Sequence, residues 1–464
     1  MTYSPKKLTL PILSQLTVEI EVAENPYNWE VTDLFQMAAR INKKRSFLFV
    51  SKILGKHIPI DPKKGLQTGA MLAQRYIEKR ALTHHSDGGL APDGLTHHSN
   101  GGQAPDRLKQ QSDEEMFAPF VSEKVNPVII GFAETATALG HAFFHCFKKA
   151  DYFHTTREIL VDRDPVITFE EEHSHATSHR CYVDEAMLNN DREIILVDDE
   201  LTTGKTAINI IRSIHNRFPR KTYTVVSILD WRSGENMQIF ADLEKELGVD
   251  IHSVSLLKGK INVTGDLKAV NKKEINESQL ETQQNIKTIN IQDVFPGMLA
   301  QVDSSSSTLA GAIKNTPYLK GTGRFSMSAN DNESLTQSLK EIGHFLQNKR
   351  IGEKTLCLGT GEFMYIPMKA ASMMGDGVFY QSTTRSPIYV NNIEGYGAKY
   401  GLAFPNPEDF DIAHFVYNIP PNEYDDVFVF FERAVSENEL KPLLNELGKT
   451  NIKNINIVFF NGGA

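Results

Sequence analysis

Residues 193–206 read E-I-I-L-V-D-D-E-L-T-T-G-K-T, and this stretch decides the fold of the chain. Ile194 to Val197 is an apolar, β-branched run that predicts a buried strand, with Asp198 and Asp199 at its carboxyl end. A polar turn, Thr202 to Thr206, then precedes apolar residues at helical spacing, which predict a helix packed on a sheet. The N–H groups and the dipole at such a helix N-terminus favour a bound anion. The sequence therefore predicts a phosphate-binding turn, with the two aspartates left for ribose hydroxyls or Mg²⁺.

A P-loop is excluded at this turn, because that motif needs a glycine five positions before the glycine of its G-K-[ST] end. Relative to Gly204, that position holds Asp199. The stretch instead resembles the motif with which type I phosphoribosyltransferases bind phosphoribosyl pyrophosphate (PRPP): an apolar strand, D-D, two variable residues and T-T-G-x-T. A surface turn with acids there by chance is the alternative. A turn at the carboxyl end of a strand is where open α/β sheets bind ligands.

Composition indicates a globular chain with two domains. With 464 residues the chain is too long for one ordinary core, and its 40% hydrophobic and 23% charged residues are typical of soluble proteins. A net charge of −9 argues against a broad nucleic-acid surface. The three cysteines form no CxxC pair and no apolar run approaches about 18 residues, so we expect a cytoplasmic protein that is neither secreted nor membrane-spanning.

Two features precede this motif. Phe35 to Ile41 predicts the end of a helix, and Phe47 to Val50 predicts a strand that leads into a loop with Lys52 and Lys56. This strand and loop form either a hood over the ligand, as in several type I enzymes, or an ordinary basic hairpin.

Residues 82–107 then hold a tandem repeat, L-T-H-H-S-D-G-G-L-A-P-D-G and L-T-H-H-S-N-G-G-Q-A-P-D-R, whose composition predicts a flexible insert without a catalytic role.

A second anion-binding turn is predicted between a strand at Val125 to Ile130 and an apolar helix at His141 to Phe147. In type I phosphoribosyltransferases the loop at this position binds the pyrophosphate of PRPP. Arg157 adds a guanidinium fork suited to phosphate oxygens. The glutamate of the turn is unusual beside a polyanion, so we expect it to hold Mg²⁺ or to orient a neighbouring donor; a turn selected for helix–sheet packing is the alternative. The candidate residues of the turn are Gly131, Glu134, Thr135, Ala136 and Thr137.

A polar run, F-E-E-E-H-S-H-A-T-S-H-R, occupies residues 169–180, just before the D-D motif. The family's flexible catalytic loop lies at this position and closes over the reacting centre. The candidate loop residues are Glu172, His173, His175 and His179. The histidines predict substrate contact or acid–base work on the closed loop, and a metal site is the alternative for this H-x-H pattern.

After the motif, Thr224 to Leu229 predicts a strand that ends at Asp230 and Trp231. In this fold the loop after that strand often contacts the base, so both residues are base-side candidates. The alternative is a buried tryptophan beside a salt bridge. Residues 261–310 then shift to a polar composition, which predicts a linker with some strand content.

The second half of the chain repeats part of the first. Both halves contain a strand, G-x-x-E, a helix and T-T-R, with the arginine 26 residues after the first glycine (131 to 157, and 359 to 385), which predicts a duplicated half-domain. The second copy reads E-R-A-V after its strand at 426–431, without D-D or T-T-G-x-T. We therefore expect a degenerate copy that binds an anion or completes the first site. Its candidate residues are Gly359, Gly361, Glu362, Thr384 and Arg385.

Four motifs carry a closer resemblance: F-L-F-V-S-K-I-L-G-K-H-I-P, G-F-A-E-T-A-T-A-L-G-H, E-E-H-S-H-A and V-D-D-E-L-T-T-G-K-T. Residues from about 35 to 260 resemble the PRTase-2 family, and residues from about 300 to 460 resemble the TRSP domain that follows it. The resemblance implies an α/β, type I phosphoribosyltransferase fold, with a central, mostly parallel sheet flanked by helices beneath an N-terminal hood. A second, degenerate α/β domain follows. It also implies a bacterial enzyme from tellurite-resistance or stress-response gene neighbourhoods.

These patterns divide the chain into an N-terminal segment (1–34), a phosphoribosyltransferase domain (35–260) with the insert at 82–110, a linker (261–310) and a TRSP domain (311–464). The expected activity is Mg²⁺-dependent transfer of ribose 5-phosphate from PRPP to an unidentified, nucleobase-like acceptor, with release of pyrophosphate, in the synthesis of a nucleoside-like stress metabolite. One alternative is a catalytically silent regulator that binds PRPP or a nucleotide, and another is a hydrolase or phosphorylase that cleaves a nucleotide.

The expected roles follow the motifs. Asp198, Asp199 and Glu200 are the expected catalytic residues, and the two aspartates meet Mg²⁺ only through PRPP. The expected ligands of the 5-phosphate are Thr202, Thr203, Gly204, Lys205 and Thr206. The expected ligands of the pyrophosphate are Gly131, Glu134, Thr135, Ala136, Thr137 and Arg157. We expect no nucleic-acid or membrane partner, and we expect a homodimer because a dimer is usual for this fold.

Overall fold

A computed structural model describes residues 7–41, 45–86, 118–170, 178–265 and 284–462. Most of the predicted insert at 82–110 lies outside these residues, and so do Glu172, His173 and His175 of the predicted flexible loop.

Strands and helices are numbered here in chain order. The strands are β1 (Lys7–Ile12), β2 (Leu16–Glu24), β3 (Phe35–Ala39), β4 (Phe47–Ser51), β5 (Val128–Gly131), β6 (Asp151–His154), β7 (Ile159–Leu160), β8 (Ile167–Glu170), β9 (Ser178–Cys181), β10 (Ile194–Leu201), β11 (Thr222–Asp230), β12 (Asp250–Gly265), β13 (Asn285–Asn290), β14 (Gln301–Val302), β15 (Ser306–Ser307), β16 (Ile313–Lys314), β17 (Tyr318–Leu319), β18 (Met327–Ser328), β19 (Thr355–Gly359), β20 (Val378–Ser382), β21 (Leu402–Asn406), β22 (Asp409–Val416), β23 (Asp426–Arg433) and β24 (Asn454–Asn461). The helices are α1 (Val31–Leu34), α2 (Pro62–Ser86), α3 (Ala136–Phe144), α4 (Glu185–Leu188), α5 (Lys205–Arg217), α6 (Gly234–Leu247), α7 (Ile291–Val294), α8 (Ala329–Gln347), α9 (Tyr365–Ala371) and α10 (Glu437–Gly448), with a 3-10 turn at Lys320–Thr322. Within the described part of the chain, no helix combines the length and the apolar character that crossing a membrane requires.

The larger sheet has eight strands in the order β1-β2-β12-β11-β10-β5-β6-β18. Strands β12, β11, β10, β5 and β6 run parallel, whereas β1, β2 and β18 pair antiparallel at the two sides. The interior strands are continuous apolar runs because helices such as α2 and α3 pack against them. The predicted central, mostly parallel sheet is confirmed, and the carboxyl ends of β5, β6 and β10 meet at one edge.

The N-terminal strands belong to this sheet. β1 pairs with β2, and β2 pairs with residues 258–265 at the end of β12. The predicted boundary after residue 260 therefore falls inside β12, and the predicted N-terminal segment (1–34) contributes β1 and β2 to the same sheet.

The predicted helix end at Phe35 to Ile41 is wrong, because Phe35–Ala39 forms β3 and pairs antiparallel with β4. A short apolar run that is buried along its whole length does not distinguish a strand from a helix. We call the β3–β4 hairpin the hood. It also contacts the second half of the chain, where Tyr396 Oη accepts a hydrogen bond from the N–H of Ala39 at 2.9 Å.

The smaller sheet has five strands in the order β13-β24-β23-β19-β20, and all of them are parallel. Strands β19, β20 and β23, which carry the repeated motifs, take the places that β5, β6 and β10 take in the larger sheet. The place of β13 in the smaller sheet corresponds to that of β12 in the larger one, but β13 precedes the other strands of its sheet whereas β12 follows β5, β6, β10 and β11.

Apolar contacts join the two sheets into one body. One cluster of buried side chains extends through both halves, and α3 of the first half packs against α9 of the second. At that contact the rings of His141 and Tyr365 stack with centroids 3.6 Å apart. Strand β18 of the second half also pairs with β6 of the first.

A buried arginine provides the ionic contact between the halves. Arg324, only 1% exposed, lies 2.9 Å from Glu432, 3.3 Å from Glu158 and 3.5 Å from Glu362. Arg433 also contacts Glu158, at 3.2 Å. Burial favours the neutral form of Glu158, but Arg433 and Arg324 outweigh it and lower its pKa to about 2. Glu158 therefore depends on the two guanidinium groups for its charged state.

We predict that Arg324→Met destabilises the protein by about 3–5 kcal/mol, because it leaves buried carboxylates without their counter-charge. Chemical denaturation measures the change. Lys354→Met is the control, since Lys354 pairs with Glu423 where both side chains are exposed, and it should leave stability near that of the wild type. Equal denaturation midpoints for the two variants would contradict the structural role of Arg324.

Candidate active site

The acidic turn (residues 198–206) lies at the carboxyl edge of the larger sheet. Asp198, Asp199 and Glu200 end strand β10 and are half-buried, so they are accessible from the edge. Oδ1 of Asp198 accepts a hydrogen bond from the N–H of Asp199 at 2.9 Å. Helix α5 begins at Lys205, two residues before the predicted start at Ala207, and its first turn contains no acidic residue. The N-terminus of α5 can therefore receive an anion.

Gly204 is required by the protein's own packing. Its φ of +76° is the left-handed conformation, and a Cβ there would lie 2.5 Å from the ring of Phe240. The sequence analysis assigned this glycine to phosphate binding alone. The structure gives it a second constraint, because any larger residue would clash with α6.

The corresponding helix of the second half is already capped. Before α10, the side chain of Ser436 accepts from the N–H of Glu439 at 3.4 Å, and the side chain of Glu439 accepts from the N–H of Ser436 at 2.7 Å. Glu437 and Glu439 place two carboxylates in the first turn. Where the first half has T-T-G-x-T before its helix, the second half thus has a capping box.

Arg45 was missed by the sequence analysis. From the edge of the hood it contacts Glu200 Oε1 at 2.6 Å and Thr202 Oγ1 at 3.1 Å, and its guanidinium lies over the ring of Phe47. No local motif marks this residue, because its role depends on the hood folding over β10. Arg45 orients Glu200 and places a positive charge at the acidic turn.

The first glycine loop (residues 131–137) lies beside the acidic turn, between β5 and α3. The Ala133–Glu134 peptide bond is cis. The N–H of Ala133 donates to Thr155 Oγ1 at 2.9 Å, and Thr137 Oγ1 donates to the carbonyl of Glu134 at 3.0 Å. A Cβ on Gly131 would lie 2.7 Å from the carbonyl oxygen of Ala136. Gly131 is therefore required for packing, as the alternative interpretation of this turn proposed.

Glu134 is buried and holds two cations from distant segments. Its carboxylate lies 3.7 Å from Nζ of Lys56 and 3.7 Å from Nε of Arg385, and it accepts from the N–H of Arg385 at 3.4 Å. Burial alone would raise the pKa of Glu134, but Lys56 and Arg385 hold it below its ordinary value. Glu134 therefore orients donors.

Lys52 and Lys56 lie in the loop that follows the hood, and only Lys56 reaches the site. Lys56 is buried, donates to Thr135 Oγ1, and has a pKa lowered by that burial. Lys52 instead donates to the carbonyl of Thr32 at an exposed position. Of the two lysines, Lys56 thus contacts the first glycine loop.

The second half completes the wall opposite the acidic turn. Glu362 accepts from Thr156 Oγ1 at 2.6 Å and from the N–H of Arg157 at 2.8 Å. This contact is the counterpart of the one between Glu134 and Arg385. Each glycine loop therefore uses its glutamate to hold the T-T-R segment of the other half.

The remaining second-half candidates belong to the second glycine loop (residues 359–362) and the segment after β20. Gly359 ends β19, and Gly361 has a φ of +54°. Thr383 Oγ1 accepts from the N–H of Gly361 at 3.0 Å, which matches the bond from Ala133 to Thr155. Thr384 pairs through its backbone with Phe415.

The placement predicted for His179 is wrong. His179 lies in strand β9, is 2% exposed, and its Nδ1 is 2.8 Å from Thr155 Oγ1. Its ring stacks on Phe169. Because Thr155 in turn holds Ala133, His179 supports the first glycine loop from behind and does not sit on a closing loop.

Both base-side candidates are buried inside the protein, so that prediction is also wrong. Asp230 is 1% exposed and pairs with Arg232 at 2.7 Å. Trp231 is 2% exposed and stacks on Phe49 of the hood, with ring centroids 5.2 Å apart. The structure instead has the alternative, a buried tryptophan beside a salt bridge. Trp231 anchors the hood through its contact with Phe49.

The described residues contain no group of three or more histidine, cysteine, aspartate or glutamate side chains that could hold a metal ion. Asp198 and Asp199 are too few to form a metal site by themselves. These residues fit Mg²⁺ only where the oxygens of a bound substrate supply further ligands.

The sequence and the structure were compared with those of known proteins. Residues 34–260 match a family model described as "Phosphoribosyl transferase" (PRTase_2), and residues 321–447 match one described as "TRSP domain C terminus to PRTase_2". A search among curated proteins finds no match to the chain.

Several solved structures of adenine phosphoribosyltransferases are similar to the chain. The enzyme from Trypanosoma brucei, in complex with AMP, pyrophosphate and ribose-5-phosphate, is 11% identical, with 55% of this chain and 87% of that chain covered and a TM-score of 0.30. The enzyme from Leishmania donovani is 15% identical, with coverages of 49% and 78% and a TM-score of 0.28. The enzyme from Leishmania tarentolae is 14% identical, with coverages of 48% and 84% and a TM-score of 0.27.

We predict that Thr155→Val destabilises the protein by about 1–3 kcal/mol, because it removes the hydroxyl that accepts from the N–H of Ala133 and lies beside Nδ1 of His179. Thr383→Val is the matched variant, since Thr383 holds Gly361 and lies 3.1 Å from Nδ1 of His414 in the same way. Urea denaturation should show similar losses for both. A loss confined to one variant would show that the two loops are not supported alike.

Proposed function

This chain belongs to the PRTase_2 family of phosphoribosyltransferases and carries that family's TRSP domain, and we propose that it transfers ribose 5-phosphate from PRPP to a nucleobase-like acceptor with release of pyrophosphate. One observation carries the proposal. The chain holds two similar sheets, but only the first ends in an acidic pair and a helix N-terminus that is open to an anion. The second sheet has its corresponding helix capped by Ser436 and Glu439.

The site supports a specific placement of PRPP. Its 5-phosphate fits the turn of Thr202 to Thr206, where backbone N–H groups and hydroxyls are donors. Its ribose hydroxyls fit the carboxylates of Asp198 and Asp199, which only accept. Its pyrophosphate fits the first glycine loop beside Lys56, Arg157 and Arg385, where the cations offset the negative charge.

The proposed reaction breaks the bond between C1 of the ribose and the pyrophosphate oxygen, and the pyrophosphate leaves with the electron pair. A bond forms between C1 and a nitrogen of the acceptor, which loses a proton. The transition state carries positive charge on the ribose, and Asp198 and Asp199 lie where they stabilise it. Lys56, Arg157 and Arg385 stabilise the charge that develops on the leaving pyrophosphate.

Mg²⁺ would be held by Asp198 and Asp199 only through the oxygens of PRPP, and it would neutralise charge on the pyrophosphate. Glu134 takes no part in holding the metal, because Lys56 and Arg385 occupy its carboxylate.

The acceptor is proposed to bind in the space under the hood, beside Arg45. We propose a nucleobase-like acceptor and a nucleoside-like product formed in a stress response, as the family resemblance implies. A cytoplasmic location and a homodimer stay predictions; the three free, buried cysteines support the first.

We predict that Asp199→Asn lowers turnover by about two to three orders of magnitude while the fold survives, because an amide cannot stabilise the developing ribosyl cation as a carboxylate does. Pyrophosphate release from PRPP and Mg²⁺, with a panel of bases and a metabolite extract, measures it. Asp191→Asn is the control, because Asp191 is exposed just before β10. Wild-type rates in Asp199→Asn would refute the assignment.

The same assay separates the alternatives. Acceptor-dependent pyrophosphate release supports the transferase. PRPP binding without release against every acceptor supports the silent regulator, and cleavage of a nucleotide without pyrophosphate as a product supports a hydrolase.

A further inference from the structure

A separate cavity of about 330 Å³ lies at the carboxyl edge of the smaller sheet. Its floor includes Gly361 and Glu362 of the second glycine loop, and Arg433 at the end of β23. None of its lining residues belongs to the acidic turn or to the first glycine loop. Apart from Arg157 and Arg385, which are also proposed to contact the pyrophosphate, the cavity is lined by residues outside the site proposed for PRPP.

The cavity occupies, in the smaller sheet, the place that the proposed PRPP site occupies in the larger one. β21 and β22 pair antiparallel between β20 and β23, as β8 and β9 do between β6 and β10. The turn between β21 and β22 contributes Asn406, Glu408 and Asp409 to the cavity wall. The cavity wall thus includes a hairpin whose chain position in the first half is taken by the pair of β8 and β9.

Guanidinium groups from separate segments form one side of the cavity. Arg157, Arg180 and Arg385 all line it. Arg180 donates to the carbonyl oxygens of Arg157 and Ser178, which carry no charge. Arg385 approaches Glu134 only to 3.7 Å. These planar forks suit a phosphate group.

Other lining residues suit hydroxyl groups. Glu408 and Asp409 supply carboxylate acceptors, and Ser306, Ser307 and Thr308 supply hydroxyls. Arg433 brings no excess charge, because Glu158 and Glu408 lie 3.2 Å and 3.3 Å from it. A cavity of about 330 Å³ is at the small end of ligand sites, which span about 300–1,000 Å³.

We propose that this cavity binds a small phosphate monoester that carries hydroxyl groups, a sugar phosphate or a nucleoside monophosphate. Its phosphate contacts Arg157, Arg180 and Arg385, and its hydroxyls contact Glu408 and Asp409. At this edge the guanidinium groups bind the phosphate, because the N-terminus of α10 is capped by side chains of the protein itself. Because Arg385 also contacts Glu134, and Arg157 contacts Glu362, the ligand touches residues that support both glycine loops.

The test is calorimetric titration of the full chain with ribose 5-phosphate and, separately, with AMP. Ile412→Trp fills the cavity, since Ile412 lines it, whereas Ala413→Trp adds the same ring at the next, exposed position of β22. For at least one probe, wild type and Ala413→Trp should bind a second equivalent that Ile412→Trp lacks. Binding of both probes that is identical in the two tryptophan variants would overturn the proposal.

A second variant separates loss of the site from loss of the fold. Arg180→Gln should weaken the same binding event by about tenfold or more, because it removes a charge-assisted hydrogen bond. Asp199→Asn should leave that event unchanged, so failure of the transferase proposal would not remove it. Unchanged affinity in Arg180→Gln would also contradict the site, and thermal unfolding confirms that each variant is folded.

Discussion

The pairing of buried carboxylates in one half with guanidinium groups of the other underlies the whole structure. Glu362 holds the Thr156–Arg157 segment, Glu134 holds Arg385, and Arg324 joins Glu158, Glu362 and Glu432. A carboxylate taken out of water is costly unless a partner compensates its charge. The second half supplies the counter-charge of Glu134 and Glu158, and the first half supplies hydrogen-bond donors to Glu362, so each glycine loop depends on contacts from the other half. The candidate active site therefore exists only at the junction.

The two halves share the same arrangement of strands and glycine loop, but they differ in the chemistry at the carboxyl edges of their sheets. In the first half, the strand ends in carboxylates and the following helix leaves its N-terminus to a ligand. In the second half, Ser436 and Glu439 cap that N-terminus, and Phe431 and Glu432 stand at the positions of the acidic pair. A helix dipole that is already compensated by the chain's own carboxylates attracts a phosphate only weakly. The proposed reaction therefore belongs to the first edge, and the second edge would recognise its ligand through arginines.

Contacts between distant residues explain which site predictions failed. Asp230 and Trp231 follow a strand as ligand-binding residues do, yet Arg232 and the hood bury both. His179 is part of a polar run, but the pairing of β9 turns it towards Thr155. Arg45 has no motif and reaches Glu200 only because the hood folds over β10. Burial and long-range pairing decide such roles, and local patterns contain neither.

The sequence by itself determined the local elements of the site: the strand and acidic pair at 194–199, the turn and helix that follow, and the repeated G-x-x-E and T-T-R segments. Those signals are local, because strand period, helix period and turn residues act within a few positions of each other. Only the tertiary structure decided that the glutamates point across to the other half, that Lys56 and Arg385 converge on Glu134, and that residues 7–24 belong to the central sheet. These contacts join residues far apart in the chain, and their energy comes from burying charge and apolar surface together, which no short stretch of sequence specifies.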